Sequence, residues 1–173
     1  INLGENDQID PAKNIEASNS KINHCGNQFF GGVGIWIGMA ENCKVVNCEV
    51  SQLPYTGISL GWKWDDQATV CKGHQILNNH IHHVMQVLSD GGGIYTLGRQ
   101  PGTTLSNNHI HHIPLNAGKA QSNGIFMDQG SSAMVVRDNR IHHIAKSPIR
   151  FHKAKENKIH NNRLDIFPLV PAF

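Results

Sequence analysis

Short apolar segments separated by polar turns recur along this chain as copies of one unit. Its first half is Gly-Ile, at Gly34, Gly57, Gly93 and Gly124, with Pro148-Ile149 in the last copy. In its second half an apolar residue is followed two residues later by Asn or Asp and five residues later by another apolar residue. These copies begin at Ala17, Val45, Ile76, Leu105, Val136 and Ile159. The constant frame with loops of variable length identifies a repeat protein.

The residues of the unit indicate strands rather than helices, since Ile, Val, Asn and Gly dominate it. Short strands repeated in this way are typical of solenoids. We therefore predict an all-β, single-stranded, right-handed parallel β-helix of about six rungs, a rung being one full turn of the solenoid. The recurring Asn19, Asn47, Asn78, Asn107, Asp138 and Asn161 are predicted to form one vertical file, a ladder of amides bonded from rung to rung.

Length, composition and the chain ends limit the classes of protein to which this chain can belong. The 173 residues predict a single domain over 1–173. The beginning has no Met and no signal peptide, and Pro168–Phe173 has no capping helix, so we expect a fragment of a longer β-helix within a larger chain. A net charge of +2 without a basic block disfavours nucleic acid, and no apolar run predicts membrane insertion. Cys25, Cys43, Cys48 and Cys71 lack zinc-ligand spacing and are predicted to be buried thiols.

Side chains alternate along a strand, so the pattern separates core positions from outer ones. Ile35, Ile58, Ile94, Ile125 and Ile149 are predicted core positions, as are the residues two later. Between them, Trp36, Ser59, Tyr95, Phe126 and Arg150 form a first outer file. Two residues further on, Gly38, Gly61, Leu97, Asp128 and His152 form a second. The aromatic file predicts either a face covered by a loop or neighbouring domain, or a groove where sugar rings stack. Trp62 and Trp64 are expected to overhang it from the loop at 61–70.

Polar residues that could carry chemistry are few. Asp128 lies in the second outer file, and Asp90 precedes three glycines; Asp65 is a spare candidate. Drawn straight, the strand separates Asp90 from Asp128 by about 23 Å, whereas the carboxyl groups of glycosidases lie roughly 5 to 10 Å apart. Either the glycines bend the chain back towards the groove or Asp90 is structural.

Paired histidines form a further aligned feature. His82-His83, His111-His112 and His142-His143 occupy identical turn positions, where other copies have Asn23-His24 and Ser51-Gln52. Stacked pairs could bind zinc or copper, but the shared turn position favours a structural column. We therefore predict no metal site and no cofactor.

Several segments resemble right-handed parallel β-helix proteins of the pectate-lyase-like superfamily, and within it glycoside hydrolase family 141 and its relatives. They are Gly57–Trp64, Asn79–His83, Ser89–Gly98, Gln100–Thr103 and Met127–Ser132. The resemblance covers about residues 30 to 165. It implies a secreted or periplasmic bacterial protein that acts on carbohydrate, with Asp90 and Asp128 as the catalytic pair. Gln129 departs from the common Asp-Glu-Gly-Ser and removes one nearby acid.

Three functions follow as alternatives. The leading hypothesis is a glycoside hydrolase acting on a plant-type polysaccharide or oligosaccharide, with Trp36, Tyr95, Phe126, Trp62, Trp64, Arg99, Arg150 and His152 as substrate-binding residues. A polysaccharide lyase would need a cationic groove, and only Arg99 and Arg150 lie near the predicted one. A carbohydrate-binding or structural β-helix is the non-enzymatic alternative, so the sequence leaves open whether this chain alone is an enzyme.

Overall fold

The computed structural model describes residues 1–4, 9–115 and 122–165. In this part of the chain the regular structure is all β, with nineteen strands and no helix. No helix that could cross a membrane is therefore found among these residues. The end segment Pro168–Phe173 lies outside the described residues.

Parallel pairing stacks the strands into three sheets that run the length of the molecule. Sheet 1 contains β4 (Ile35–Ile37), β8 (Ile58–Leu60), β11 (Gly91–Thr96), β14 (Ser122–Met127) and β17 (Ile149–Phe151). Sheet 2 contains β2 (Glu16–Ser18), β6 (Lys44–Val46), β9 (Gln75–Leu77), β12 (Thr104–Ser106), β15 (Val135–Arg137) and β18 (Lys158–His160). Sheet 3 contains β3 (Lys21–Asn23), β7 (Glu49–Ser51), β10 (His80–His82), β13 (His109–Ile113), β16 (Arg140–Ile144) and β19 (Arg163–Asp165). A small pair, β1 (Ala12–Lys13) and β5 (Ala40–Glu41), lies beside them. This is the predicted parallel β-helix.

Each complete rung contains three strands, although the repeat unit has only two halves. The second half, such as 45–50 or 76–81, is split into a strand of sheet 2 and a strand of sheet 3. The break is the recurring Asn, which has a positive φ of 55° at Asn47 and 57° at Asn78. Asn tolerates this left-handed conformation better than most residues, and a residue that adopts it cannot continue a strand.

The predicted file of Asn and Asp is confirmed, but its role is different. The backbone N–H of Asn78 donates to the carbonyl of Ser106 in the next rung, and Asn107 bonds to Arg137 in the same way. Their side chains are exposed. The buried ladder is formed by the next residue of each copy: Cys48, Asn79, Asn108, Asn139 and Asn162. The left-handed residue turns the chain by one corner, which directs the following side chain inward. The ladder predicted at Asn107 was therefore wrong by one position.

The predicted register of sheet 1 is confirmed. Ile35, Ile58, Ile94, Ile125 and Ile149 are neighbours across it, and the first four are fully buried. Thr96, the polar member of the core file, is also buried, and its hydroxyl lies 2.9 Å from that of Ser131. Phe151 is 52% exposed in the last strand, contrary to its predicted core position, because no described strand stacks on that side. Of the cysteines, Cys43, Cys48 and Cys71 are buried as predicted, whereas Cys25 is exposed.

The buried His74 makes the stability of the fold depend on pH. Its Nδ1 accepts a hydrogen bond from the Cys43 N–H at 3.2 Å, and burial lowers the pKa of His74 from 6.5 to about 4. Below pH 6.5 the unfolded chain binds a proton there that the folded chain does not bind. We expect this to reduce the free energy of unfolding by roughly 2–3 kcal/mol between pH 6.5 and pH 4, with no contribution above pH 6.5.

Denaturation curves of the protein and of His74→Asn across this pH range test the expectation. Asn is a suitable replacement, because Asn157 occupies the same corner in a later rung and accepts a hydrogen bond from the Met134 N–H. The variant should lose stability less steeply in acid. Parallel curves for the two proteins would contradict the role of His74.

Candidate functional site

The outer face of sheet 1 carries the first outer file in the predicted register, with Trp36, Ser59, Tyr95, Phe126 and Arg150 as neighbours. Its members are not equally accessible. Phe126 is only 1% exposed, packed edge to face against Tyr95 at 5.4 Å between ring centroids. The guanidinium of Arg150 covers the same ring at 5.2 Å from its centroid. Phe126 and Arg150 therefore support the face and are not placed to stack on a ligand.

A cavity of about 480 Å³ opens on this face. Its lining residues are Gly31, Val33, Trp36, Tyr55, Thr56, Ser59, Trp62, Trp64, Asp90, Tyr95, Leu97 and Asp128. The expected site residues Trp36, Trp62, Trp64 and Tyr95 thus share it with both aspartates. Arg99 is not among the described lining residues; its guanidinium faces Glu156 at 3.4 Å.

The loop at 61–70 forms one wall of the cavity and contributes two tryptophans. Trp62 packs edge to face on both Trp36, at 5.6 Å between centroids, and Trp64, at 4.8 Å. Trp62 and Trp64 remain 41% and 51% exposed. The three indoles therefore form a cluster that presents aromatic surface to the cavity.

Contacts with neighbouring rungs hold this loop in place. Gln129 donates from Nε2 to the Trp64 carbonyl at 2.5 Å, and Asp66 pairs with Lys155 at 2.6 Å. Gly130 has a φ of +78°, and a Cβ there would collide with the Asp65 carbonyl. Gln129, the departure from the family pattern, thus supplies a donor that Glu would lack. The Asp65 side chain contacts the Gln67 N–H and Lys63, so the spare catalytic candidate belongs to the loop.

Asp128 is the most firmly held acid of the cavity. Tyr95 donates from its hydroxyl to Oδ2 at 2.6 Å, and His152 Nδ1 lies 2.7 Å from Oδ1. Only 13% of the Asp128 side chain is exposed. Burial and the hydrogen bond to Asp128 raise the pKa of Tyr95 well above its usual value of 10, so the phenol remains a donor at neutral pH. Both oxygens of this carboxylate are fixed in direction.

Asp90 reaches the cavity without the glycine bend that the sequence suggested. Gly91–Thr96 is one extended strand, so the expectation that its glycines fold the chain back was wrong. The glycines instead allow close packing, since a Cβ on Gly91 would lie 2.3 Å from the Thr56 hydroxyl. Asp90 itself has a positive φ of 66°, and it lines the cavity.

Tyr55 also lines the cavity, next to Asp90, and the sequence did not identify it. Its hydroxyl donates to the Asp90 carbonyl at 2.8 Å. Burial is the main cause that raises the pKa of Tyr55, and the charges of Asp90 and Asp128 add to it. Both acids also raise the pKa of Tyr95 by their charge. Asp90, Asp128 and both tyrosines line the same cavity. A signal was available in the sequence. Tyr55 lies three residues before Ile58 and Gly91 three residues before Ile94, so the pairing of the two isoleucines would have placed Tyr55 beside Gly91.

The histidine pairs form the predicted turn column on a different face of the molecule. His83, His112 and His143 all have a positive φ near 50°, like His24 and Gln52. Their partners His82, His111 and His142 stack along sheet 3, and His80 and His109 add a second file that the sequence analysis overlooked. Burial lowers the pKa of His109, and that of His111 to about 3, so both rings are neutral at pH 7.

Comparison with known proteins assigns the chain to a family. The sequence model of the family described as "Right handed beta helix region" matches residues 34–165, and the chain belongs to this family. The predicted right-handed, single-stranded parallel β-helix is thereby confirmed. No curated protein matches the sequence. A solved structure described as "Glycoside hydrolase" superposes with a TM-score of 0.78 and 28% identity, over 87% of this chain and 25% of that chain. The chain thus spans a quarter of the length of that protein.

Proposed function

We propose that this β-helix takes part in the hydrolysis of glycosidic bonds in a plant-type polysaccharide or oligosaccharide. The observation that carries the proposal is the cavity on sheet 1, where a tryptophan cluster and two aspartates face one space. Aromatic faces suit sugar rings, and paired carboxyl groups suit the cleavage of the bond between them. The structural similarity to a glycoside hydrolase supports the same class of reaction. A polymeric substrate of this kind fits a secreted or periplasmic protein.

In the proposed reaction the two aspartates have different roles. Asp128 is the carboxylate that attacks the anomeric carbon or activates water, because Tyr95 and His152 fix the direction of both its oxygens. Asp90, the other carboxyl-bearing residue of the cavity, then donates the proton to the leaving oxygen. Tyr95 and His152 act as positioning residues through Asp128.

A polysaccharide lyase is the weaker alternative. Lyases act on uronates and need a basic side chain beside the acidic sugar. In the described part of the chain the cavity lining includes two aspartates and no Lys or Arg. Arg99 pairs with Glu156, and Arg150 covers Phe126. The negative charge of this cavity favours a neutral sugar.

Incubation of the protein with a panel of neutral and acidic glycans tests the proposal. Release of reducing ends without ultraviolet absorbance from unsaturated uronates is the expected result. Appearance of that absorbance would select the lyase. Tight binding with no cleavage of any glycan by the full-length protein would select the carbohydrate-binding module instead.

Binding of a neutral oligosaccharide should quench tryptophan fluorescence, because Trp62 and Trp64 are exposed in the cavity wall. Removing the outermost ring in Trp64→Ala is expected to weaken binding by roughly 5- to 10-fold, about 1 kcal/mol. Phe151→Ala, which removes an exposed ring outside the cavity lining, is the matched control and should leave affinity unchanged. Equal affinity of both variants and the unchanged protein would exclude the indole cluster as the sugar platform.

A further inference from the structure

Histidines are concentrated on sheet 3 far beyond what its fold requires. In the file that contains His80 and His109, the neighbouring rungs have Glu49 and Arg140. The file that contains His111 has Ser51 and Asn23 in its earlier rungs. The same outward positions therefore accept acidic, basic and small residues in other rungs. Structural stacking alone does not explain why neutral imidazoles occupy adjacent places in consecutive rungs.

We propose that His80, His109 and His111 form a binding site for a divalent transition metal of the zinc class. One ring nitrogen from each of the three lies within 4.8 Å of the others. His109 and His111 are two residues apart on one strand, so both point outward, and His80 lies beside His109 in the preceding rung. Three imidazoles with an open fourth position form a common protein zinc site.

Distances show that little movement is needed to admit the ion. The Nε2 atoms of His80 and His111 are 2.7 Å apart and share one hydrogen. Two nitrogens bound to one tetrahedral zinc, at about 2.0–2.1 Å each, lie roughly 3.3 Å apart. The rings of His80 and His111 must therefore separate by roughly 0.6 Å, and the His109 ring must approach them from within 4.8 Å.

The protons at His80, His111 and His112 balance without any release to solvent. If the shared hydrogen resides on His111 Nε2, it moves to Nδ1 of the same ring and frees both Nε2 lone pairs for the metal. His111 Nδ1 lies 2.6 Å from His112 Nδ1, which accepts the new N–H once its own hydrogen has moved to Nε2 of the His112 ring. A metal-ligating histidine usually donates its other N–H in this way, and the bond fixes the ring.

A neighbouring acid that contacts the array distinguishes this group from the second cluster, His112, His142 and His143. Arg140 does not separate the two clusters, since it pairs with His109 across the sheet and also acts on His142. Next to His80, the preceding rung places Glu49, whose carboxylate also lies 3.6 Å from His82. The site is therefore assigned to the end of the histidine array nearest to the acid.

Calorimetric titration of the untagged protein with Zn²⁺ alone, after removal of bound metals by a chelator, tests this site. We expect saturable uptake and a rise in Tm with Zn²⁺. His80→Asn should weaken the site by more than about 100-fold, since losing a ligand exceeds the effect of losing a second-shell partner. His24→Asn, at a turn position away from the array, is the matched control and should bind as the unchanged protein does.

X-ray absorption of the zinc-loaded protein provides a measurement that does not depend on a variant folding. Three nitrogen ligands from imidazole at about 2.0–2.1 Å are expected. The proposal is overturned if Zn²⁺ shows no saturable binding, if His80→Asn binds like His24→Asn, or if the spectrum shows fewer than three imidazoles.

Discussion

Replacing Asp128 by Asn is expected to lower kcat for glycoside hydrolysis by roughly 10²–10⁴-fold. The amide keeps the shape of the side chain, so the Tyr95 hydroxyl still finds an oxygen acceptor and the cavity keeps its form. It removes the negative charge needed to attack the anomeric carbon or to activate water. Because the tryptophan cluster is untouched, oligosaccharide affinity measured by fluorescence should change little. The measurement is kcat with the full-length protein on the best substrate of the glycan panel.

Asp90→Asn should produce a loss of similar size, because an amide cannot supply a proton to the leaving oxygen. Asp65→Asn is the matched control: Asp65 lies in the same region of the fold, but its carboxylate contacts Gln67 and Lys63 of its own loop. It should retain nearly normal turnover. An Asp90 variant as active as the Asp65 variant would remove Asp90 from the pair, and two active cavity variants would leave only carbohydrate binding.

The two-residue alternation of strands made the outer face of sheet 1 predictable. Ile58, Ile94 and Ile125 set the register, and Trp36 and Tyr95 then had to point outward. Alternation is local, and it reports only the side of a strand. It could not reveal that Phe126 is buried beneath Arg150, because that burial depends on side-chain packing between rungs.

Contacts that depend on loop conformation were beyond the sequence. Drawn straight, the strand separated Asp90 from Asp128 by about 23 Å, which left open whether the glycines bent the chain back or Asp90 was structural. In the structure Tyr55 and the tryptophan loop enclose a cavity broad enough to include both. The Gln129 contact that holds this loop also joins residues 65 positions apart, and no local pattern indicates such a pair.

The ladder was misplaced for a different physical reason. The spacing correctly identified a file of Asn and Asp, but a strand pattern assigns inward and outward positions by counting in twos. A single left-handed residue, such as Asn107 with a φ of 55°, ends that count and begins a new strand. The recurrence of Asn at two successive positions, 78–79 and 107–108, was the available signal. The first Asn of each pair adopts the left-handed backbone conformation, and the second supplies the buried side-chain amide of the ladder.

Asn108→Leu is expected to reduce the free energy of unfolding by roughly 3–5 kcal/mol, because several buried polar groups lose their partners together. Oδ1 of Asn108 accepts hydrogen bonds from the backbone N–H and the side-chain amide of Asn79, both at 3.0 Å. Its Nδ2 donates to the Ile76 carbonyl at 2.9 Å and to Asn139 Oδ1 at 3.0 Å. Leu is similar in size but replaces none of these bonds, and the site is too buried for water to do so.

Asn107→Asp, one residue earlier, is the matched control. The side chain at 107 is exposed, and Asp138 already adopts the same left-handed conformation in the next rung, with a φ of 57°. We expect its free energy of unfolding to remain within about 0.5 kcal/mol of that of the unchanged protein. Denaturant midpoints at constant m-value measure both changes. Equal midpoints for the two variants would show that the buried amides do not stabilise the stack, whereas a large loss only at 108 identifies the second Asn of each corner as the residue that ties the rungs together.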